Sequence, residues 1–348
     1  MTSKDTFKKV GVIGTGSFGS TIANILAKNS HVIIYGRDAD QIANMNSSRT
    51  HRGVKLHANI EPTNNLEYLA NSCSTIFPII SSSGFRSVIK QLSPFLHPYH
   101  ILIHGTKGLD ISIPDNQKNN DTITRNEVKT MSEVITDETV VVRVGCLAGP
   151  NLAKELSDGQ PGATVIASHF DEVRREGERL LRNDRFQVYG NEDLIGIELV
   201  GVLKNIIAIA AGALNGLGMG ENARGLLVSR GMVEMIYLGK ALGGNTQAFL
   251  GLAGIGDLVA TCNSTLSRNF TVGHRLAKGE TLNDITDSMD EIAEGVNTVR
   301  IVKKLADYYK VKAPITEILH KVLFEGFKAE EALQRLMRYP FNVDISFL

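Results

Sequence analysis

A chain of 348 residues, 43% hydrophobic and 21% charged, is long enough for two domains and apolar enough to give each a core. Lys plus Arg and Asp plus Glu both number 37, so the formal net charge is zero. That balance offers no electrostatic footprint for nucleic acid or an anionic membrane, and any anion must be recognised locally. Cys73, Cys146 and Cys262 lie far apart with no CxxC pair. Their spacing fits neither a disulfide framework nor a zinc site, and predicts buried thiols in a reducing compartment. Residues 1–9 are polar without a signal-peptide core, and no window is an uninterrupted apolar run of bilayer length. The expected location is the cytoplasm, with no stable membrane insertion.

In chain order, the apolar run 10–13 reads as a buried strand and 21–28 as a helix. Between them stands Gly14-Thr15-Gly16-Ser17-Phe18-Gly19, and a second strand, 31–35, closes a βαβ unit. Strand, glycine turn and helix in that order suit a dinucleotide pyrophosphate. Gly14 makes the tight turn, Gly16 admits the backbone to the phosphates, and Gly19 lets the helix pack on the strand. The helix N-terminus adds free N–H groups and a positive end. The alternative is a purely structural glycine turn. In an NAD-specific site an acid usually ends the second strand and holds the adenosine ribose; here Gly36 and Arg37 occupy that region. An arginine can stack on adenine or pair with a 2′-phosphate, which leans toward NADPH or use of both cofactors. Asp38 leaves NAD open.

Residues 42–52 and 66–70 read as helices and 75–80 as a strand. Ser81-Ser82-Ser83-Gly84 follows, where a doubly wound sheet places ligand-facing loops. An amphipathic helix, 85–92, leads to the strand 101–104 and to Gly105-Thr106-Lys107-Gly108-Leu109, a glycine-flanked lysine set to meet an anion. The stretch 114–125 is rich in Asn, Asp and Thr and reads as an exposed loop. A strand over 139–144 precedes a second glycine turn, Cys146 to Asn151, that opens a helix over 152–157; strands follow at 163–168 and 186–189. Residues 1–190 are therefore expected to form a Rossmann-like α/β domain with a parallel sheet.

From Leu194 onward strand patterns give way to helices, predicting an all-α domain over 191–348. The segment 194–214 is apolar on all sides except at Glu198, Lys204 and Asn205, so it is expected at the centre of that domain. A buried lysine is costly unless paired; the alternative is a lysine snorkelling at the helix edge. Residues 222–242 form another long helix, 251–257 a glycine-rich turn, and Pro314-Ile315-Thr316-Glu317 a helix start with Thr316 as its cap.

Several separate stretches then agree. Gly14 to Gly19, Thr106 to Leu109, Gly149-Pro-Asn-Leu-Ala-Lys-Glu155, Leu203-Lys-Asn205, Gly254-Ile-Gly-Asp257, Ser267-Arg-Asn269, Glu294-Gly295 and Pro314 to Glu317 recur in order. Together they make the chain resemble the bacterial-type NAD(P)-dependent glycerol-3-phosphate dehydrogenases across nearly its whole length. The resemblance implies interconversion of sn-glycerol 3-phosphate and dihydroxyacetone phosphate for phospholipid synthesis, with a homodimer formed through the helical domain. It further implies that Ser17, Phe18, Arg37, Ala153, Ile292 and Glu294 contact NAD or NADP. Lys107 touches cofactor and substrate, and Gly149 and Asn151 line the substrate site. Lys204 is the proton acceptor, with Asn205, Asp257 and Thr261 around it. Ser267, Arg268 and Asn269 hold the phosphate, with Arg268 also near the cofactor.

Elementary chemistry agrees with these roles. A lysine with a pKa near ~10.4 is a poor base at neutral pH. Burial beside cationic Lys107 lowers that value, while Asp257 opposes the shift and orients the amine. Ser81 stands where the family commonly has proline, Ala148 precedes Gly149 in place of the usual serine, and 114–125 diverges. A related β-hydroxyacid dehydrogenase is the main rival, but it would need a carboxylate site where Ser267-Arg268-Asn269 offers a phosphate site. A non-catalytic dinucleotide-binding module would have no use for Lys204, Asp257 and Arg268 together.

Overall fold

The computed structural model describes residues 9–111, 123–289 and 293–340. The chain divides into two compact units, Met1–Thr106 with Met131–Leu194, and Lys107–Thr130 with Ile195–Leu348. Most of the Asn-rich stretch 114–125, Ile292 and the last eight residues fall outside the described residues.

The strands in chain order are β1 (Lys9–Ile13), β2 (His31–Tyr35), β3 (Thr50–His51), β4 (Val54–Lys55), β5 (Ile60–Thr63), β6 (Thr75–Pro78), β7 (Ile101–His104), β8 (Asp110–Ile111), β9 (Val128–Lys129), β10 (Arg143–Ala148), β11 (Gly162–Ala167) and β12 (Phe186–Asn191). The first unit is built on one sheet of order β12-β11-β10-β7-β6-β1-β2-β5. The chain starts in mid-sheet at β1, builds to one side through β2 and β5, then returns to add β6 on the other. That reversal between β1 and β6 is the switch point at which doubly wound sheets bind ligands. Val32 and Ile34 face one core and Ile33 the other, and Ile101 and Ile103 likewise oppose Leu102. Both faces are buried, which is why these strands read as continuous apolar runs.

The helices of this unit are α1 (Ser17–Leu26), α2 (Ala39–Ser48), α3 (Leu66–Ser72), α4 (Ser82–Leu92), α5 (Met131–Glu138), α6 (Ala153–Ser157) and α7 (Asp171–Leu181). Two features correct the sequence reading, and β5 is a strand that it did not anticipate. The β10–β11 pair is antiparallel, with Cys146 opposite Ala167. The intervening α6 is too short to cross the sheet and lies beside α1, where Thr21 Oγ1 is 2.8 Å from Ser157 Oγ. The strand expected at 139–144 runs instead from Arg143 to Ala148, because Arg143 to Cys146 pair with β7 while Val140 and Val142 are left exposed. The glycine turn accordingly begins at Gly149 rather than Cys146. Finally, β5 contains Pro62, which argues against a strand in sequence; as an edge strand it tolerates the missing donor.

Residues 107–130 group with the second unit, whereas the sequence reading divides the chain once, at 190/191. Two local features account for this. β8 and β9 form their own antiparallel ribbon, and Arg125 donates from Nε to the Leu242 carbonyl and from its backbone N–H to the Tyr309 hydroxyl. The unit's helices are α8 (Leu194–Gly216), α9 (Glu221–Ala241), α10 (Thr246–Leu250), α11 (Asp257–Cys262), α12 (Arg268–Ala277), α13 (Leu282–Asp287), α14 (Glu294–Tyr309), α15 (Pro314–Phe324) and α16 (Ala329–Met337). By length and composition α8 could cross a bilayer, but 94% of its apolar window is buried inside the protein, as expected of a core helix.

Thr316 does not cap α15. Instead the buried Glu234 of α9 receives the Ile315 N–H at 2.8 Å, the Thr316 N–H at 2.9 Å and the Thr316 hydroxyl at 2.5 Å. Burial pushes the Glu234 carboxyl up to about 7, with those donors opposing the shift. Its folded value exceeds the unfolded one, so the folded state holds the extra proton between the two. This group's contribution to stability is therefore lost as pH rises from the unfolded value toward about 7. Glu234→Gln should abolish that slope, so wild type minus variant stability, read by denaturant titration, should fall by a few kcal/mol over this window.

Candidate active site

In the first unit the turn between β1 and α1 is shaped for close approach. Gly14 has φ +120°, and a Cβ there or at Gly19 would collide with a backbone carbonyl, that of Ile79 or of Gly14. Gly16 is the N-cap of α1, which has no side-chain cap and no acid in its first turn, so Ser17 and Phe18 open a helix end suited to an anion. Phe18 is half-buried on the core below. His51, which sequence reasoning passed over, braces this turn: its Nε2 is 2.7 Å from the Thr15 carbonyl. Only the β3–β4 hairpin brings it there, and no local pattern announces it.

Arg37 is exposed just beyond β2. The Asp38 carboxylate is spent on capping α2, with Oδ1 accepting from the Asp40 and Gln41 N–H groups at 3.0 Å each. Gly149, with φ +149°, ends β10, and Asn151 Nδ2 donates to Thr164 Oγ1 at 3.0 Å. Ala153 begins α6, its carbonyl 3.4 Å from the Thr21 hydroxyl on α1.

The second unit brings Lys107, Lys204, Asn205, Asp257 and Thr261 together. On α8, Gly201, Lys204 and Asn205 share a face, and the Lys107 stem runs over Gly201. Lys204 is only 4% exposed. Its Nζ donates to Thr261 Oγ1 at 2.8 Å and to Asn205 Oδ1 at 3.3 Å, and lies 3.3 Å from Asp257 Oδ1. The Thr261 hydroxyl in turn donates to Asp257 Oδ1 at 3.0 Å, and Lys107 Nζ donates to Asp257 Oδ2 at 2.8 Å. One carboxylate thus bridges two lysines, one on each oxygen. The snorkelling alternative for Lys204 fails on this geometry. The segment 252–256, expected as a turn, is a wide helical turn leading directly into α11, and a Cβ at Gly254 would collide with the Phe249 carbonyl.

The charges follow from this arrangement. Burial drives Lys204 down to about 8; Asp257 pulls it back up and Lys107 pushes it further down. For Asp257 burial alone would raise the carboxyl, but Lys107 and Lys204 outweigh it and hold it below the usual range. The cluster therefore carries an amine that can change protonation near neutral pH beside a fixed carboxylate.

Ser267 caps α12, its Oγ accepting the Phe270 N–H at 3.3 Å. Arg268 is exposed on the first turn, Asn269 is buried beside it, and Glu294 opens α14. A helix N-terminus carrying an arginine and an amide suits a phosphate.

Comparison with known proteins gives one answer. The profile for the NAD-dependent glycerol-3-phosphate dehydrogenase N-terminus matches residues 9–174, and that for its C-terminus residues 193–334. A glycerol-3-phosphate dehydrogenase [NAD(P)+] of Pseudomonas aeruginosa (strain LESB58) is 37% identical over 97% of both chains. That of Azotobacter vinelandii is 36% identical over 97% of both. The crystal structure of glycerol-3-phosphate dehydrogenase from Coxiella burnetii superposes with a TM-score of 0.85 at 29% identity, covering 95% of this chain and 99% of that one.

Proposed function

The chain belongs to the NAD-dependent glycerol-3-phosphate dehydrogenases, and from that premise we propose how its own residues carry the reaction. It is an NAD(P)-dependent oxidoreductase that interconverts sn-glycerol 3-phosphate and dihydroxyacetone phosphate. The observation that carries the proposal is Lys204, a buried amine held by Thr261 and Asp257 with its pKa lowered to about 8. In oxidation the neutral Lys204 Nζ removes the proton of the C2 hydroxyl. In reduction the Lys204 ammonium polarises the ketone and returns that proton. Asp257 and Thr261 hold the amine in place and Asn205 takes one of its hydrogens, while Lys107 balances Asp257 and lends positive charge toward the developing alkoxide. Ser267, Arg268 and Asn269 bind the phosphate, and Gly149 and Asn151 contribute to the substrate site.

The glycine turn fits a dinucleotide: a side chain at Gly14 or Gly19 would strike a backbone carbonyl, so the turn stays bare, and the α1 N-terminus beside it has no side-chain cap and no acid to oppose a pyrophosphate. Gly14, Gly16, Ser17, Phe18 and Gly19 would hold the pyrophosphate, and Arg37 the adenosine end, with Ala153, Arg268, Ile292 and Glu294 completing the cofactor contacts. When bound, NAD(P) supplies the hydride acceptor or donor for C2. Because Asp38 already caps α2, Arg37 is the residue that favours NADPH. Arg37→Ala should lower the NADPH-to-NADH ratio of kcat/KM about tenfold while changing the NADH value little; an unchanged ratio would remove Arg37 from cofactor choice. The setting we propose is a cytoplasmic homodimer serving phospholipid synthesis, in keeping with the burial of Cys73, Cys146 and Cys262, none of them in a disulfide. Dihydroxyacetone phosphate reduction by the purified protein, followed by loss of nicotinamide absorbance, tests the substrate. Turnover of a 3-hydroxy acid instead would reverse it.

A further inference from the structure

Gly295, the second residue of α14, matched the family pattern without an assigned task. Its backbone N–H donates to Asn269 Oδ1 at 2.9 Å. A primary amide with its oxygen so fixed has its NH2 turned to the opposite side. Asn269 is 8% exposed, and its Nδ2 has no partner among the described residues. The space around Gly295 is equally specific. A Cβ there would stand 2.6 Å from Asn269 Oδ1 and 3.0 Å from the Asn205 carbonyl oxygen. Three elements therefore meet at one backbone position: α8 next to Lys204, the first turn of α12, and the first turn of α14.

We propose that Gly295 is a positioning residue for the phosphate end of the substrate, acting through Asn269. Its N–H clamps the amide oxygen so that Nδ2 points at the phosphate. Its lack of a side chain lets the phosphate-binding turn of α12 close on the backbone beside Lys204. The separation between proton acceptor and phosphate donors is set there. This rests on reading Ser267-Arg268-Asn269 as the phosphate site.

The test is inhibition by inorganic phosphate, competitive against dihydroxyacetone phosphate, on the full-length protein with NAD(P)H present. Gly295→Ala should weaken phosphate inhibition and raise the KM for dihydroxyacetone phosphate together, each about tenfold, because a charge-assisted donor is misdirected. The KM for NAD(P)H and kcat should move much less. A role confined to packing would lower kcat or stability and leave phosphate inhibition alone, and that result would overturn the inference. In an Asn269→Ala background Gly295→Ala should add almost nothing, since both remove the same contact; a second full tenfold loss would also overturn it. If Gly295→Ala does not fold, Asn269→Asp and Asn269→Ala decide. A carboxylate clamped by the Gly295 N–H is aimed at the phosphate and should be worse than alanine; an aspartate no worse than alanine contradicts the clamp. Wild-type turnover that phosphate does not inhibit would instead sink the phosphate-site reading, and this inference with it.

Discussion

Lys204→Ala is expected to lower kcat in both directions by roughly 10²- to 10⁴-fold, the range for removing a positioned general acid–base group. The KM for dihydroxyacetone phosphate should change far less, because the phosphate site proposed at Arg268 and Asn269 does not use the amine. The variant should also fold. Asp257 keeps its 2.8 Å contact with Lys107 after the substitution, so no buried carboxylate is left without a counter-charge. Steady-state kinetics beside a thermal melt separate the two effects. A variant within about threefold of wild type would leave the family standing and take Lys204 out of the mechanism.

The second large effect is expected from Asp257→Asn. It removes the carboxylate shared by Lys107 and Lys204 and leaves buried Lys204 facing the half-buried Lys107 amine, so kcat should fall by about 10²-fold or more. The direction of the pH response is more diagnostic than its size. Asp257 raises the Lys204 pKa and Lys107 lowers it. In Asp257→Asn the limb governed by Lys204 should therefore move to lower pH, and in Lys107→Met to higher pH. Shifts in the same direction would contradict the assignment of that limb to Lys204.

How much of this was legible in the sequence depended on range. The glycine turn, the buried strands and the apolar helix carrying Lys204 are set by local periodicity and can be read directly. Lys107 can be read locally as a glycine-flanked lysine set to meet an anion, whereas the role of Asp257 came only through the family resemblance, since 150 residues separate the pair. Pro62 hid an edge strand, because a missing donor matters only where a neighbour needs it. Glu234 lies in a stretch that reads only as a long helix, with nothing nearby to announce that it caps α15 81 residues away. The antiparallel β10–β11 pair and the assignment of 107–130 to the helical unit likewise follow from what each connection packs against.

The most direct test of the central claim is the pH dependence of kcat/KM for sn-glycerol 3-phosphate oxidation. With Lys204 as the proposed base only its neutral form can accept the proton, so the rate should climb tenfold per unit at low pH and level off above about 8. Reduction of dihydroxyacetone phosphate needs the ammonium and should be level at low pH, then fall above the same point. An oxidation profile that stays flat from about pH 6 to 9, or that keeps climbing toward the ordinary lysine value near ~10.4, would contradict a buried, depressed Lys204 as the base.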